Sequence, residues 1–178
     1  YGEDALYEGG LSIRTTLDPD IQRMARKALQ NGLIAFDIQR GYRGPVTNID
    51  INGDWAVPLA EVTGLSDVPE WKLAVVLGVG EQEVSIGIEP DRAVSGELSE
   101  DRKLGRITLE NMEWAKKVID EEGKTRSVKT ADQILQPGNV IYVEAVAENQ
   151  TGEYRLRQPP KVQGAMVVMD PHTGRVLA

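Results

Sequence analysis

The sequence predicts a mainly β fold with some α, in which a five-stranded barrel is inserted into a linker made of a strand, a helix and a C-terminal hairpin. Three observations predict it. A capped amphipathic helix follows one short β-type segment near the start. Five strand-like runs with one helical stretch between the third and fourth fill residues 71–158. Glycine- and proline-rich breaks at 41–45 and 159–160 bracket that block.

The first segment, 11–17, alternates apolar and polar residues and is rich in β-branched side chains, which suits a half-buried strand. Asp18 can cap the following helix, because its carboxylate accepts from free first-turn amides. Pro19 lies where its missing N–H costs nothing. Asp20 adds negative charge at the positive end of the helix dipole. The helix is expected to run to about Asp37. Ile21, Met24, Ala25, Ala28, Leu29, Gly32, Ala35 and Phe36 fall on one stripe at helical spacing. Gly32 sits inside that stripe at a cost of about 1 kcal/mol against Ala, so a close backbone contact is expected there.

In the middle block, 71–79 (WKLAVVLGV) and 83–88 (EVSIGI) read as a hairpin. Residues 106–109 form a third strand, and 112–119 (MEWAKKVI) reads as a helix. Residues 120–129 are a charged loop, and 130–135 make a short helical turn. Residues 140–147 (VIYVEAVA) and 153–157 (EYRLR) are the fourth and fifth strands. Residues 46–63 carry a mixed signal with a turn at Asn52-Gly53-Asp54. The last segment, 162–178, reads as a hairpin around Asp170-Pro171-His172-Thr173-Gly174. Five strands with a helix between the third and fourth is the order of an OB-fold barrel.

The chain has 178 residues, a formal charge of −8 and no cysteine. Disulfides, thiolate metal sites and a cysteine nucleophile are therefore excluded. No run approaches the ~18 apolar residues of a membrane span. The chain starts on Tyr1 without a signal peptide and ends in mid-pattern, so it is read as a piece of something longer. The negative charge lies in 44–160, which carries a net −9. Such a surface repels phosphate backbones.

Five tempting features have simpler readings. Gly123-Lys124-Thr125 lacks the upstream glycine of a phosphate loop, with Val118 in its place, and reads as a solvated turn. Asp50, Asn52, Asp54 and Glu61 have calcium-loop spacing, but Trp55 stands where the sharp turn needs Gly, so a polar turn is expected. His172 is the single histidine and cannot build a zinc site alone. Trp55, Trp71 and Trp114 are spread over three elements and are read as core residues rather than a stacking surface. The acidic runs 97–101 and 120–122 are read as solvated loops, with docking of a basic partner as the alternative.

Both flanks carry a more specific likeness. GGLSIRTTLDPDIQRMARKAL resembles the segment of class A penicillin-binding proteins that follows their glycosyltransferase domain. VQGAMVVMDPHTGRVLA resembles the start of their transpeptidase domain. Residues 40–45 (RGYRGP) resemble the 1A branch of Gram-negative bacteria, which carries an OB-like insertion between the two catalytic domains. The resemblance implies domains at 1–42 (a linker strand and helix at the edge of the transpeptidase domain), 43–160 (the OB-like domain) and 161–178 (the start of the transpeptidase domain). It also implies a bifunctional peptidoglycan synthase as parent, anchored in the inner membrane with this region in the periplasm. The partners implied are the glycosyltransferase and transpeptidase domains in cis, with a periplasmic or outer-membrane regulatory protein as the candidate that docks on the OB-like domain.

The catalytic signatures of that family are absent from this sequence. No serine is followed three positions later by lysine: Ser99 meets Arg102, which stays protonated and cannot act as a base. No Ser-x-Asn or Lys-Thr-Gly occurs; the nearest are Lys129-Thr130-Ala131 and Lys124-Thr125-Arg126. The expectation is a fragment with no catalytic, cofactor-binding or metal-binding residue, no cofactor, no nucleic-acid partner and no membrane contact. The alternative is an independent OB-fold nucleic-acid-binding module, which the −9 block opposes.

Overall fold

The structure is a computed structural model, and it describes residues 14–120, 122–146 and 152–178. They form two compact units. One ends at Leu33 and resumes over Val162–Ala178; the other is Ile34–Lys161.

Helix α1 spans Pro19–Arg40 and is shared between the units. Its start follows the sequence logic. Asp18 Oδ1 accepts from the amides of Asp20 at 2.9 Å and Ile21 at 3.2 Å. It runs three residues past Asp37 and stops at Gly41, whose φ is +111°. The apolar stripe is only partly used. Ala25 is buried and Ile21 and Leu29 are half-buried, whereas Met24, Ala28, Gly32, Ala35 and Phe36 are exposed.

Within the first unit, residues 14–17 are not a strand, and 11–13 lie outside the described residues. Thr16 Oγ1 donates to Val176 O at 2.5 Å, and Asp18 N to Leu177 O at 2.9 Å. The early segment therefore meets 176–177. The terminal hairpin is reduced to a bridge between Met169 and Val176 and bonds between Val168 and 177–178. Residues 162–167 form no strand, and Gly164 lies against α1. A Cβ on Gly164 would lie 3.2 Å from Leu29 and 3.3 Å from Leu33.

The second unit holds the sheet. Its strands are β1 (Thr47–Asn48), β2 (Trp71–Val79), β3 (Glu83–Ile88), β4 (Leu104–Thr108), β7 (Asn139–Ala145) and β8 (Tyr154–Arg157), with a separate hairpin of β5 (Lys117–Ile119) and β6 (Thr125–Ser127). The path is β4-β3-β2-β7-β8, antiparallel throughout, with β1 beside the start of β7. The two ends of this path meet. Arg106 on β4 and Glu153 beside β8 form a parallel bridge, and Arg106 N donates to Gly152 O at 2.9 Å. This is the strand order of an OB fold, joined at the seam by a bridge rather than a ladder. Trp114 sits over the seam, its indole N–H donating to Leu156 O at 3.2 Å.

Both faces of β2 are buried, which is why its sequence is one apolar run rather than an alternation. Ala74 and Val76 face the barrel interior with Ile86, Ile107, Met112, Leu135, Val143 and Leu156. Trp71, Leu73 and Val75 face outward into a second cluster with Leu59, Val140 and Tyr142. The stretch with the mixed signal, 46–63, supplies the cover of that cluster. It contains β1 and the short helix α2 (Ala56–Ala60), whose Ala56 and Leu59 are buried. Trp55 lies across Gly87, where a Cβ would come within 2.6 Å of its ring. Trp71 is buried, while Trp55 and Trp114 are half-buried against the two clusters.

The expected helix 112–119 is corrected. Residues Glu110–Lys116 form tight 3-10 turns kinked at Met112, and Lys117–Ile119 is strand β5. Val118 and Ile119 are β-branched, and a backbone partner is at hand. Tyr42 N donates to Lys117 O, and Ile119 N to Tyr42 O, both at 2.7 Å. β6 likewise replaces part of the expected charged loop.

Candidate functional site at the Asp37 junction

Within the second unit, residues 41–43, which follow α1, and 158–161, which close the unit, meet at one side chain on the last turns of α1. Asp37 is 1% exposed. Its Oδ1 accepts from the Arg43 guanidinium at 2.9 Å and from Lys161 N at 3.2 Å. Its Oδ2 lies 2.9 Å from Arg43 and accepts from Gln158 Nε2 at 2.9 Å. Arg43 donates again to Pro159 O at 2.8 Å. Gln158 Oε1 accepts from Arg43 N at 2.8 Å, and its amide also reaches Gly41 O at 3.2 Å.

This is a bidentate arginine–carboxylate pair out of water, with the remaining lone pairs satisfied by the returning strand. Burial raises the Asp37 pKa. The hydrogen bonds from Arg43, Gln158 and Lys161 and the charge of Arg43 outweigh it, so the carboxyl is held below its ordinary value. Beside the pair lies a cleft of about 420 Å³ lined by Gly44, Pro45, Val46, Tyr142 and Pro160. Its walls pair no nucleophile with a base. The arrangement holds the first and last segments of the second unit on one helix end.

Neighbouring Tyr42 is a core residue, its ring edge-on to Trp114 at 5.8 Å between centroids. Its hydroxyl is buried without a hydrogen-bond partner among the described residues, and burial pushes the phenol well above its ordinary pKa. An unsatisfied buried hydroxyl costs about 1–3 kcal/mol. Tyr42→Phe keeps the ring and removes that cost. Urea denaturation is therefore expected to show the variant as stable as the parent chain, or more stable by up to about 1 kcal/mol.

The tempting motifs fall elsewhere. Gly123 has φ +79° at the β5–β6 turn, where Lys124 N bonds Asp120 and Lys124 Nζ bonds Glu122. Asp54 is engaged by Arg102 at 2.9 and 2.7 Å and accepts from Ala56 N. Asp50 folds back on Asn52. Among the described residues, no three His, Cys, Asp or Glu converge as metal ligands. His172 is exposed in the turn that Asp170 organises. Glu97, Glu100 and Asp101 are exposed, while Arg102 and Lys103 from the same loop pair with Asp54 and Asp91.

None of Asp37, Arg43 and Gln158 was singled out from the sequence. One local signal exists. A carboxylate in the last turns of a helix opposes the helix dipole, so it needs a compensating partner.

Residues 42–162 match the family described as Penicillin-binding protein OB-like domain, and the chain belongs to that family. The relatives it matches include proteins named Penicillin-binding protein 1A. The one from Rickettsia typhi is 38% identical over 176 residues, covering 99% of this chain and 19% of the relative. That of Escherichia coli K12 is 27% identical, covering 100% of this chain and 20% of the relative. The crystal structure of Penicillin-Binding Protein 1A from Haemophilus influenzae superposes with a TM-score of 0.53 at 25% identity, over 90% of this chain and 20% of that one. The chain thus spans about a fifth of the length of these relatives. No helix among the described residues is long and apolar enough to cross a membrane.

Proposed function

We propose that this chain is the non-catalytic, OB-like linker region of a bifunctional peptidoglycan synthase, with glycosyltransferase and DD-transpeptidase domains in cis. Residues 43–160 act as spacer and docking module. Residues 1–42 and 161–178 belong to the edge and the start of the transpeptidase domain. The region works in the periplasm, its parent anchored in the inner membrane, and a periplasmic or outer-membrane regulatory protein is the partner that docks on the module.

The observation that supports this reading is the Asp37 junction. Residues 43 and 158–161 return to one carboxylate, as an inserted module requires if its host is to continue past it. The missing Ser-x-x-Lys removes the nucleophile that penicillin would acylate. Fluorescent penicillin is expected to leave no covalent label on this chain while labelling the full-length protein. A hydroxylamine-sensitive adduct on the isolated chain would overturn the non-catalytic assignment.

A further inference from the structure

We infer that the cleft between the 64–69 loop and the outer face of β2 and β7 is a socket for a basic side chain of a partner protein, with the Glu89 carboxylate as its counter-ion. The inference rests on the docking role proposed above and names the chemistry of that docking. The cleft has a volume of about 320 Å³, and Leu65, Ser66, Pro69, Trp71, Glu89 and Tyr142 are among the residues that line it. All of them belong to the second unit. That volume lies at the lower end of small-ligand pockets, which start at about 300 Å³, and suits one long side chain.

The walls are held by the fold. Trp71 N donates to Val68 O at 3.0 Å, and the Tyr142 hydroxyl is bonded to the Leu65 backbone. The rings of Trp71 and Tyr142 pack at 6.2 Å between centroids. Glu89 follows β3 directly, and its N–H donates to Leu73 O at 2.9 Å, which fixes it beside β2.

Glu89 is the charge that its surroundings leave over. Nearby carboxylates are closed into pairs, Asp91 with Lys103 at 2.6 Å and Asp54 with Arg102 at 2.7 Å. Glu89 is half-buried and forms no ion pair among the described residues. Two cations act on it from a distance. The Arg92 guanidinium is taken up by Ala60 O at 2.7 Å and Gly96 O at 3.3 Å. Lys72 borders the cleft, but alternation along β2 puts it on the face of Ala74 and Val76, opposite Trp71 and Leu73, and its charge acts on Asp91 as well. Loss of water around Glu89 outweighs the Leu73 backbone bond and both cations, and holds the carboxyl above its ordinary value. A partly dehydrated carboxylate without a counter-ion costs folding free energy, and in a cleft it is the kind of group that meets a ligand.

The ligand must bring positive charge to Glu89 and an apolar stem to Leu65, Pro69 and Trp71. The Asp67 charge, felt at the Tyr142 hydroxyl together with that of Glu89, adds to the negative field. A lysine side chain has both parts. The net −9 of residues 44–160 favours the approach of a basic segment.

Nα-acetyl-lysine amide is the probe, and Nα-acetyl-norleucine amide, which has the same stem without the ammonium, is its control. Each is titrated into the full 178-residue chain and followed by the NMR signals of the Trp71 indole and the Glu89 amide. The lysine probe is expected to shift both signals saturably, and the norleucine probe to bind about tenfold more weakly. Glu89→Gln is expected to weaken lysine binding about tenfold while leaving the chain as stable in urea as the parent, or more stable, because it removes the partly dehydrated charge. Lys72→Ala, which removes a competing cation from an exposed position, is expected to tighten lysine binding. Equal binding of the two probes, no saturable shift, or lysine binding unchanged by Glu89→Gln overturns the socket, and so does weaker binding in Lys72→Ala. Those outcomes leave the non-catalytic linker reading standing. A penicillin adduct on the chain would overturn that reading and leave the socket.

Discussion

Asp37→Ala is expected to destabilise the chain by about 3–5 kcal/mol, read as a fall in the urea midpoint at neutral pH, because it removes one partner of a buried ion pair. The Arg43 side chain is only 16% exposed, so its guanidinium would keep a charge without its counter-ion. Gln158 Nε2 and Lys161 N would lose an acceptor as well. Replacing both charges by apolar residues of similar volume, as in Asp37→Leu with Arg43→Met, is expected to recover much of the loss. A double variant as weak as Asp37→Ala alone would mean that the hydrogen bonds to the returning strand, rather than the stranded charge, carry the effect.

The pH dependence follows with a definite sign. The folded pKa of Asp37 lies below the ordinary value of 3.8. The pair's contribution is thus complete above 3.8 and is lost as pH falls through the folded pKa. Asp37→Asn is expected to flatten stability against pH in that acid window. Part of the slope will remain, since Asp54, Asp91 and Asp170 are also held low, by Arg102, Lys103 and the Thr173 hydroxyl. A variant whose profile below pH 4 matches the parent's would show that Asp37 is not linked to folding.

Elements set by local chemistry were legible. Asp18-Pro19 announces a capped helix start, and the cap bonds are present. The five strands of the barrel lie on apolar or alternating runs, and their order indicated the OB arrangement. Elements whose partners lie far away were not legible. Residues 112–119 look helical by composition, yet Tyr42, remote in sequence, offers a backbone edge that turns 117–119 into strand. Residues 46–63 gave a mixed signal because they cover an outer sheet face rather than forming a layer of their own. The Asp37 cluster joins residues 121 positions apart. On a helical wheel Asp37 falls with the polar residues, and nothing nearby shows that this face is buried. Gly32 misled in the opposite direction: a mid-helix glycine invites a packing explanation, and the space beside it is open.

Gly41→Ala carries the second large expected effect, and it separates two sources of strain. Gly41 has φ +111°, a region that side chains rarely adopt, and a Cβ there would stand 2.5 Å from Lys117 O. That oxygen already accepts from Tyr42 N and belongs to β5, so it cannot retreat without opening the Tyr42 pairing. Gly44 is the natural control: its φ is +98°, but nothing lies within 4 Å of its Cβ position. Backbone strain alone should cost Gly44→Ala about 1–2 kcal/mol. Gly41→Ala should cost more than that, about 3 kcal/mol, because the backbone clash adds to the strain. Thermal or urea melts of the two variants side by side give the comparison. Equal losses would mean that residues 41–42 can shift away from β5 at little cost, and that the junction is held by Asp37 alone.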